Sequence, residues 1–336
     1  MKLFLFVSML LLAQACSTTD DTPRAPDIDI ETGLLENRAL MVSGVERTYH
    51  LYVPQNAANA SVVLLFHGNK SDNDQIIGID RSLLNRELKA PYKVWLTLAE
   101  EENIILVIPN GSEGTTGDNG WNDCRNDAAG NPDSDDVAFS SALIDFVLNE
   151  YQANTNRVYA VGTSNGGHMA MRLAQEIPDK LTAFAAIVTA NPVNSQCTLS
   201  TTPISALFMN GTADPINPID GGTVGLGGPM EGTRGQVLST QETIAYWVNR
   251  NQTSTTPITT NLQDLDTSDN TTVSKHIYPN GTNNTEVAYY EVIGGGHTEP
   301  SRAERYTNIF ISLFMLGEQN GDIEMANEVW DFFKTK

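Results

Sequence analysis

Residues 157–167 read RVYAVGTSNGG, and HMAMRLAQEI follows to residue 177. The apolar run has strand character, and the segment after the glycines has helical periodicity. Between the two, Gly162-Thr163-Ser164-Asn165-Gly166 forms a G-x-S-x-G string. A tight strand–turn–helix elbow needs glycines beside its central residue, because a Cβ there would strike the neighbouring elements. Such an elbow lifts the Ser164 Oγ above the carboxyl edge of a sheet and aims the helix N-terminus at any negative charge that forms there.

The rest of the chain repeats the same alternation. RTYHLYVP (47–54), SVVLLFHG (61–68), NIILVIPNG (103–111), AFAAIV (183–188), ISALFMNG (204–211) and VAYYEVIGGG (287–296) read as strands. Several are apolar throughout, as strands covered on both faces should be. Helical periodicity marks 96–102, 135–151, 166–177, 235–251, 302–316 and the closing 327–336. Strand–helix alternation predicts an α/β fold, with a mostly parallel central sheet and helices on both faces. The polar stretch 251–272 reads as a surface excursion, and 81–94 reads as a helix–loop on the rim or a cap.

A serine hydroxyl needs a base to become a nucleophile. Of five histidines, His297 follows VIGGG at the end of the last core strand, in a glycine loop from which an imidazole can reach the sheet edge. Structural roles are the default for His50, His67, His168 and His276. A carboxylate must fix the imidazole tautomer. Asp214 lies just past a buried strand and is the candidate, with Asp220 the runner-up. Backbone donors for an oxyanion would come from Asn165, after the serine, and from Gly68 or Asn69 at the end of FHGNK, with Asn69 preferred.

The formal net charge is −21 on 336 residues, 40% hydrophobic and 18% charged. That composition builds a sizeable core and repels phosphate backbones, which excludes nucleic acid as a partner. The carboxylates of DSDDV (133–137) suit helix capping by Asp135 or Asp136 better than calcium, and no His/Cys spacing suggests zinc. The glycine run 220–232 lacks a P-loop lysine and reads as a loop beside the site.

MKLFLFVSMLLLAQAC opens with a positive residue and an apolar run too short to span a bilayer. Residues 1–15 read as an export leader, 16–36 as a flexible tether and 37–336 as the catalytic domain. Ala13-Gln14-Ala15-Cys16 resembles the lipobox of bacterial lipoproteins, which implies lipid on Cys16, a cell-surface or secreted location, and no other membrane attachment. Cys124 and Cys197 then remain as a pair for an oxidising compartment. Closing that loop would stabilise the fold by up to about 4 kcal/mol.

ERTYHLYVP, LLFHG, VIPNG, GWNDC, DDVAF, RVYAVGTSNGGHMAMRLA, GTADP followed by DGG, and GGGHTEP occur in this order. In that set, over about residues 40–336, the chain resembles secreted esterases of the polyhydroxybutyrate depolymerase and feruloyl esterase group of the α/β-hydrolase fold. The resemblance implies Ser164, Asp214 and His297 as a triad in the family's Ser…Asp…His order. It also implies Trp121 and Asn122 lining the acyl site and Cys124 in a disulfide close by; the glycine before Trp121 and the polar residues after it favour exposure of the ring near the site. The implied substrates are feruloyl or other acyl esters of polysaccharide, or hydroxyalkanoate polyester, with no cofactor. The alternatives are an acyl-peptide or prolyl-type peptidase and a polymer-binding surface lipoprotein without catalysis. Two departures stand out: Cys124 is single where relatives often carry a double cysteine, and Glu299 stands where a tryptophan often follows His-Thr.

Overall fold

A computed structural model describes residues 31–79, 90–226, 234–307 and 315–336. The leader, Cys16 and most of the tether lie outside the described residues, as do 81–89 of the rim segment, 227–232 of the glycine run and 308–314 of the helix expected over 302–316.

The chain enters with the hairpin β1 (Gly33–Val42) and β2 (Val45–Val53), so the sheet starts inside the stretch read as tether. Then come β3 (Ser61–Phe66), the single turn α1 (Asn73–Ile76), α2 (Val94–Glu101) and β4 (Ile104–Pro109). A short ribbon pairs β5 (Ser112–Glu113) with β6 (Asn119–Gly120). Next are α3 (Asp136–Glu150), β7 (Val158–Thr163), α4 (Asn165–Glu176), β8 (Ala183–Ile187) and β9 (Ser205–Gly211). A second ribbon pairs β10 (Gly222–Thr223) with β11 (Gln236–Val237), ahead of α5 (Thr240–Asn251). The chain closes with β12 (Ile258–Asn261), β13 (Thr272–Tyr278), β14 (Val287–Ile293) and α6 (Met325–Phe333).

Ten of these strands form one sheet, in the order β1-β2-β4-β3-β7-β8-β9-β14-β13-β12. The six strands from β4 to β14 run parallel, and antiparallel pairs close both edges. β3, β4, β7, β8 and β9 are buried at every position, which is why they read as continuous apolar runs. α2 and α6 cover one face, while α3, α4 and α5 cover the other. On the first face Trp95, Tyr159, Trp330 and Phe333 are fully buried, with Tyr159 and Phe333 stacked at 4.7 Å. The polar stretch 251–272 is not wholly an excursion, because β12 lies within it and adds an edge strand beside β13. Its four residues are all exposed, so no apolar periodicity announced it.

α3 starts where the carboxylates cluster. Asp135 caps it, accepting from the Ala138 N–H at 2.9 Å. Asp136 turns inward and pairs with Arg47 of β2 at 2.8 Å, and both side chains are buried. The same guanidinium donates to the Asn110 carbonyl at 3.1 Å and lies over the Phe139 ring at 4.4 Å. Burial pushes the Asp136 carboxyl up, and Arg47 opposes that push. The Cys124–Cys197 disulfide forms, with Cα atoms 5.1 Å apart.

Removing one member of a buried ion pair strands the other, so Arg47→Met should lower unfolding free energy by about 3–5 kcal/mol. Chemical denaturation reads this directly, and a midpoint matching the parent's would show that the pair does not hold β2 to α3.

Candidate active site

Ser164 occupies the step from β7 to α4 with φ 56° and ψ −120°. A non-glycine residue in this region is strained by about 1–3 kcal/mol and persists only where its surroundings hold it. The holding is visible at the flanking glycines. A Cβ on Gly162 would lie 2.3 Å from the Gly166 backbone, and one on Gly166 would lie 2.2 Å from the Phe66 carbonyl oxygen. Only glycine lets α4 start this close to the end of β3. Ser164 is the N-cap residue of α4, yet its hydroxyl makes no capping bond. The oxygen that would normally bind the helix remains available for chemistry.

β9 and β14 lie side by side and in parallel, so the loops that follow them leave the same sheet edge as the elbow. A Cβ on Gly211 would meet the Gly295 oxygen at 2.2 Å, so the two loops cross in contact. The His297 Nδ1 lies 2.7 Å from the Asp214 Oδ2. The other Asp214 oxygen accepts from the Ile216 and Asn217 N–H groups, both at 2.8 Å. A carboxylate held by two backbone donors can only accept from the imidazole, which places the proton on Nδ1 and the lone pair on Nε2. The His297 N–H donates to the Leu316 carbonyl at 2.6 Å, anchoring the loop from its far side. Asp220, the runner-up acid, is exposed.

The loop after β3 runs against the elbow. A Cβ on Gly68 would lie 3.8 Å from the Ser164 Cβ. The carboxamide oxygens of Asn69 and Asn165 converge on Gly120, lying 3.0 Å and 2.8 Å from where its Cβ would be. Asn165 opens α4, and a first-turn N–H has no intrahelical acceptor. His67 braces this loop from behind. Its Nε2 accepts from the Gly111 N–H at 2.9 Å, so its Nδ1 donates to the Gly68 carbonyl at 2.8 Å. Desolvation holds His67 neutral, lowered to about 4.

The GWNDC loop corrects one expectation. Trp121 is fully buried instead of standing near the surface. Its Nε1 donates to the His67 carbonyl at 2.8 Å, and Phe66 meets it edge-on at 5.1 Å. A buried indole N–H needs an acceptor, and the strand-end carbonyl draws the ring inward. Asn122 is half-buried and engaged with protein: its N–H donates to Asp136 at 2.7 Å and its carbonyl accepts from Arg172 at 2.6 Å. Glu299 is buried too, accepting from the Tyr306 hydroxyl at 2.6 Å, so it faces the interior and not the rim. Sequence reading missed the Asp123–Arg125 pair at 2.6 Å, which spans only two residues around Cys124 and carries no periodic signal.

His168 sits one turn along α4, with its N–H on the Ser164 carbonyl at 3.0 Å. Burial, then the Arg125 charge, lowers it to about 3, and His297 is near enough to add to that push. Unfolded histidines take up a proton near pH 6.5, where folded His67 and His168 do not. The unfolded state therefore binds more protons below that point, and stability should be full above it and lost as pH falls toward 4 and then 3. Urea unfolding across that range checks the sign. A free energy constant from neutral pH down to about 4.5 would contradict it.

Comparison with known proteins follows the same lines. Residues 42–288, more than half of the chain, match the esterase family described as "Putative esterase". The chain is 37% identical over 103 residues to "Putative esterase NocK" of Nocardia uniformis subsp. tsuyamanensis, covering 30% of each chain. It is 30% identical over 187 residues to "Probable feruloyl esterase C" of Aspergillus flavus, covering 54% of this chain and 62% of the relative. It is 29% identical over 174 residues to "Bifunctional acetylxylan esterase/xylanase XynS20E" of Neocallimastix patriciarum, covering 52% and 22%. The matches thus span between 22% and 62% of these relatives' lengths. Among solved structures, an acetyl xylan esterase from Aspergillus awamori superposes with a TM-score of 0.50 at 15% identity, over 84% of this chain and 99% of that one. That likeness shows the shared fold. With an elbow serine, a mostly parallel sheet and the family match spanning both, this chain belongs to the esterase family and has the α/β-hydrolase fold.

Proposed function

We propose that the protein is an exported serine carboxylic-ester hydrolase acting on feruloyl or acetyl esters of plant polysaccharide, with Ser164, His297 and Asp214 as its catalytic triad. The observation that carries this reading is the 2.7 Å contact from His297 Nδ1 to Asp214 at the sheet edge where Ser164 stands on its elbow. The Ser164 Oγ attacks the ester carbonyl carbon while the His297 Nε2 takes its proton. Asp214 stabilises the imidazolium that results. The N–H groups of Asn165 and Asn69 donate to the oxyanion of the tetrahedral intermediate. Collapse breaks the C–O bond to the alcohol, which His297 protonates as it leaves. Water then attacks the acyl-enzyme with His297 as base, releasing the acid and restoring the serine. No step calls for a cofactor.

The names of the feruloyl and acetylxylan esterase relatives support the substrate class. Export is supported by the disulfide, which suits an oxidising compartment, and by the apolar run ahead of Cys16. No helix of the described residues is long and apolar enough to cross a membrane. The proposed organisation is a leader over 1–15, a tether from Cys16 that carries lipid, and a catalytic domain reached at β1.

A Ser164→Ala protein should stay folded, lose turnover of a short aryl ester and take no label from a fluorophosphonate; retained turnover would end the assignment. Asp214→Asn should lower kcat by about 10⁴-fold, since the imidazole then adopts the wrong tautomer. Feruloylated xylan fragments, acetylated xylan, a hydroxybutyrate oligomer and a peptide amide, assayed side by side, test the substrate. Turnover confined to the oligomer or to the amide would overturn the polysaccharide-ester reading.

A further inference from the structure

We propose that Asp123 is a positioning residue for the oxyanion hole, acting through the side chain of Asn165. The inference rests on the ester-hydrolase reading above and deepens it.

Asn165 has two separate tasks. In that reading its backbone N–H donates to the oxyanion, and its carboxamide ties the start of α4 to the GWNDC loop. That carboxamide is fully bonded: Oδ1 accepts from the Trp121 N–H at 2.7 Å, and Nδ2 donates to the Trp121 carbonyl at 3.1 Å and to the Asp123 Oδ2 at 2.7 Å. The helix ladder can use the carbonyl of this first residue but not its N–H. A first-turn N–H has no intrahelical partner, and the N-cap before it is strained and makes no capping bond. Together with the close seating of α4 on the end of β3, the side-chain anchor sets where the donor points, and its one charged member is Asp123. A hydrogen bond to an ionised acceptor is about twice as strong as a neutral one.

Asp123 is itself held from the far side. Arg125 Nε contacts both of its oxygens at 3.1 and 3.2 Å, and Arg125 Nη2 reaches Oδ2 at 2.6 Å. Arg125 Nη1 donates to the Arg234 carbonyl at 2.7 Å, and Gln196 Nε2 donates to the Asp123 carbonyl at 2.7 Å. The disulfide at Cys124 locks the residue between them to Cys197. Burial would raise the Asp123 carboxyl, but Arg125 and then His168 outweigh it and hold it at about 2. The guanidinium has a second consequence. A bare carboxylate bonded to the side chain of Asn165 would oppose negative charge at that residue's N–H, and Arg125 neutralises it without removing the acceptor.

The test is a double-mutant cycle on a short aryl ester, with every rate expressed per site titrated by a fluorophosphonate. Asp123→Ala should lower kcat by up to about 100-fold, the cost of a donor displaced by about 1 Å, with KM changed less than about twofold. Asn165→Ala keeps the backbone N–H, removes the anchor and should show the same loss. The double variant should fall no further, because both changes cut one connection. Affinity for a boronic acid, which mimics the tetrahedral oxyanion, should drop in step with kcat. Asp123→Asn keeps shape and an acceptor, so it should recover part of the rate and serves if the alanine variant does not fold. A kcat per site equal to the parent's in either Asp123 variant, or losses that multiply in the double variant, would overturn the proposal. A parent protein that takes no label would instead remove the serine-hydrolase reading on which it stands.

Discussion

The approach of α4 to the end of β3 is the constraint on which the site depends. Helix and strand come so near that a single methyl group on Gly166 would overlap the carbonyl oxygens of Phe66 and His67 at 2.2 and 2.5 Å. That contact forces the turn at Ser164 into a positive φ and brings the loop at Gly68 against the serine. It also sets the carboxamides of the two candidate oxyanion residues, one at the start of α4 and one in the loop after β3, over Gly120. Packing of buried helix and sheet faces supplies the free energy that keeps a strained residue in place, since the strain is small beside the apolar surface removed from water.

Charge is arranged in two tiers. The net charge is strongly acidic, while two buried carboxylates beside the GWNDC loop are matched to arginines. Arg47 pairs with Asp136 and Arg125 with Asp123, and the two pairs flank the same loop. Asn122 bonds to Asp136, and Asn165 bonds to Asp123 across that loop. Buried pairs contribute little net stability compared with apolar residues of the same size. Their value here is directional: each fixes a bond whose geometry an apolar contact would leave loose. The buried Trp121 belongs to the same construction, wedged between Phe66 and His67 with its N–H on a strand-end carbonyl.

The loops after β9 and β14 extend this logic. Asp214 and His297 lie 83 residues apart in sequence, yet adjacent parallel strands deliver them to one edge, and glycine contacts let their loops cross. The sheet then continues outward through β13, which adds Val273 to the core, and β12, whose four exposed residues add only width.

Much of this was legible in the amino-acid sequence. Continuous apolar runs at 61–66, 104–109 and 158–163 announced strands buried on both faces, and the glycines around Ser164 announced the elbow, because each follows from local sterics or burial. Cys124 and Cys197 were paired by count. The strand β12 escaped notice because exposed threonines leave no periodic trace, and β1 began within residues that looked like tether. Trp121 was expected near the surface and proved buried, since exposure depends on which carbonyl a distant strand presents to its N–H. What the sequence determined by itself was the fold class and the set of candidate reactive side chains, both carried by short-range chemistry. What only tertiary structure decided was how Asp123, Asn165, His67 and Arg47 brace them, because buried polar partners are chosen by three-dimensional proximity and leave no spacing along the chain.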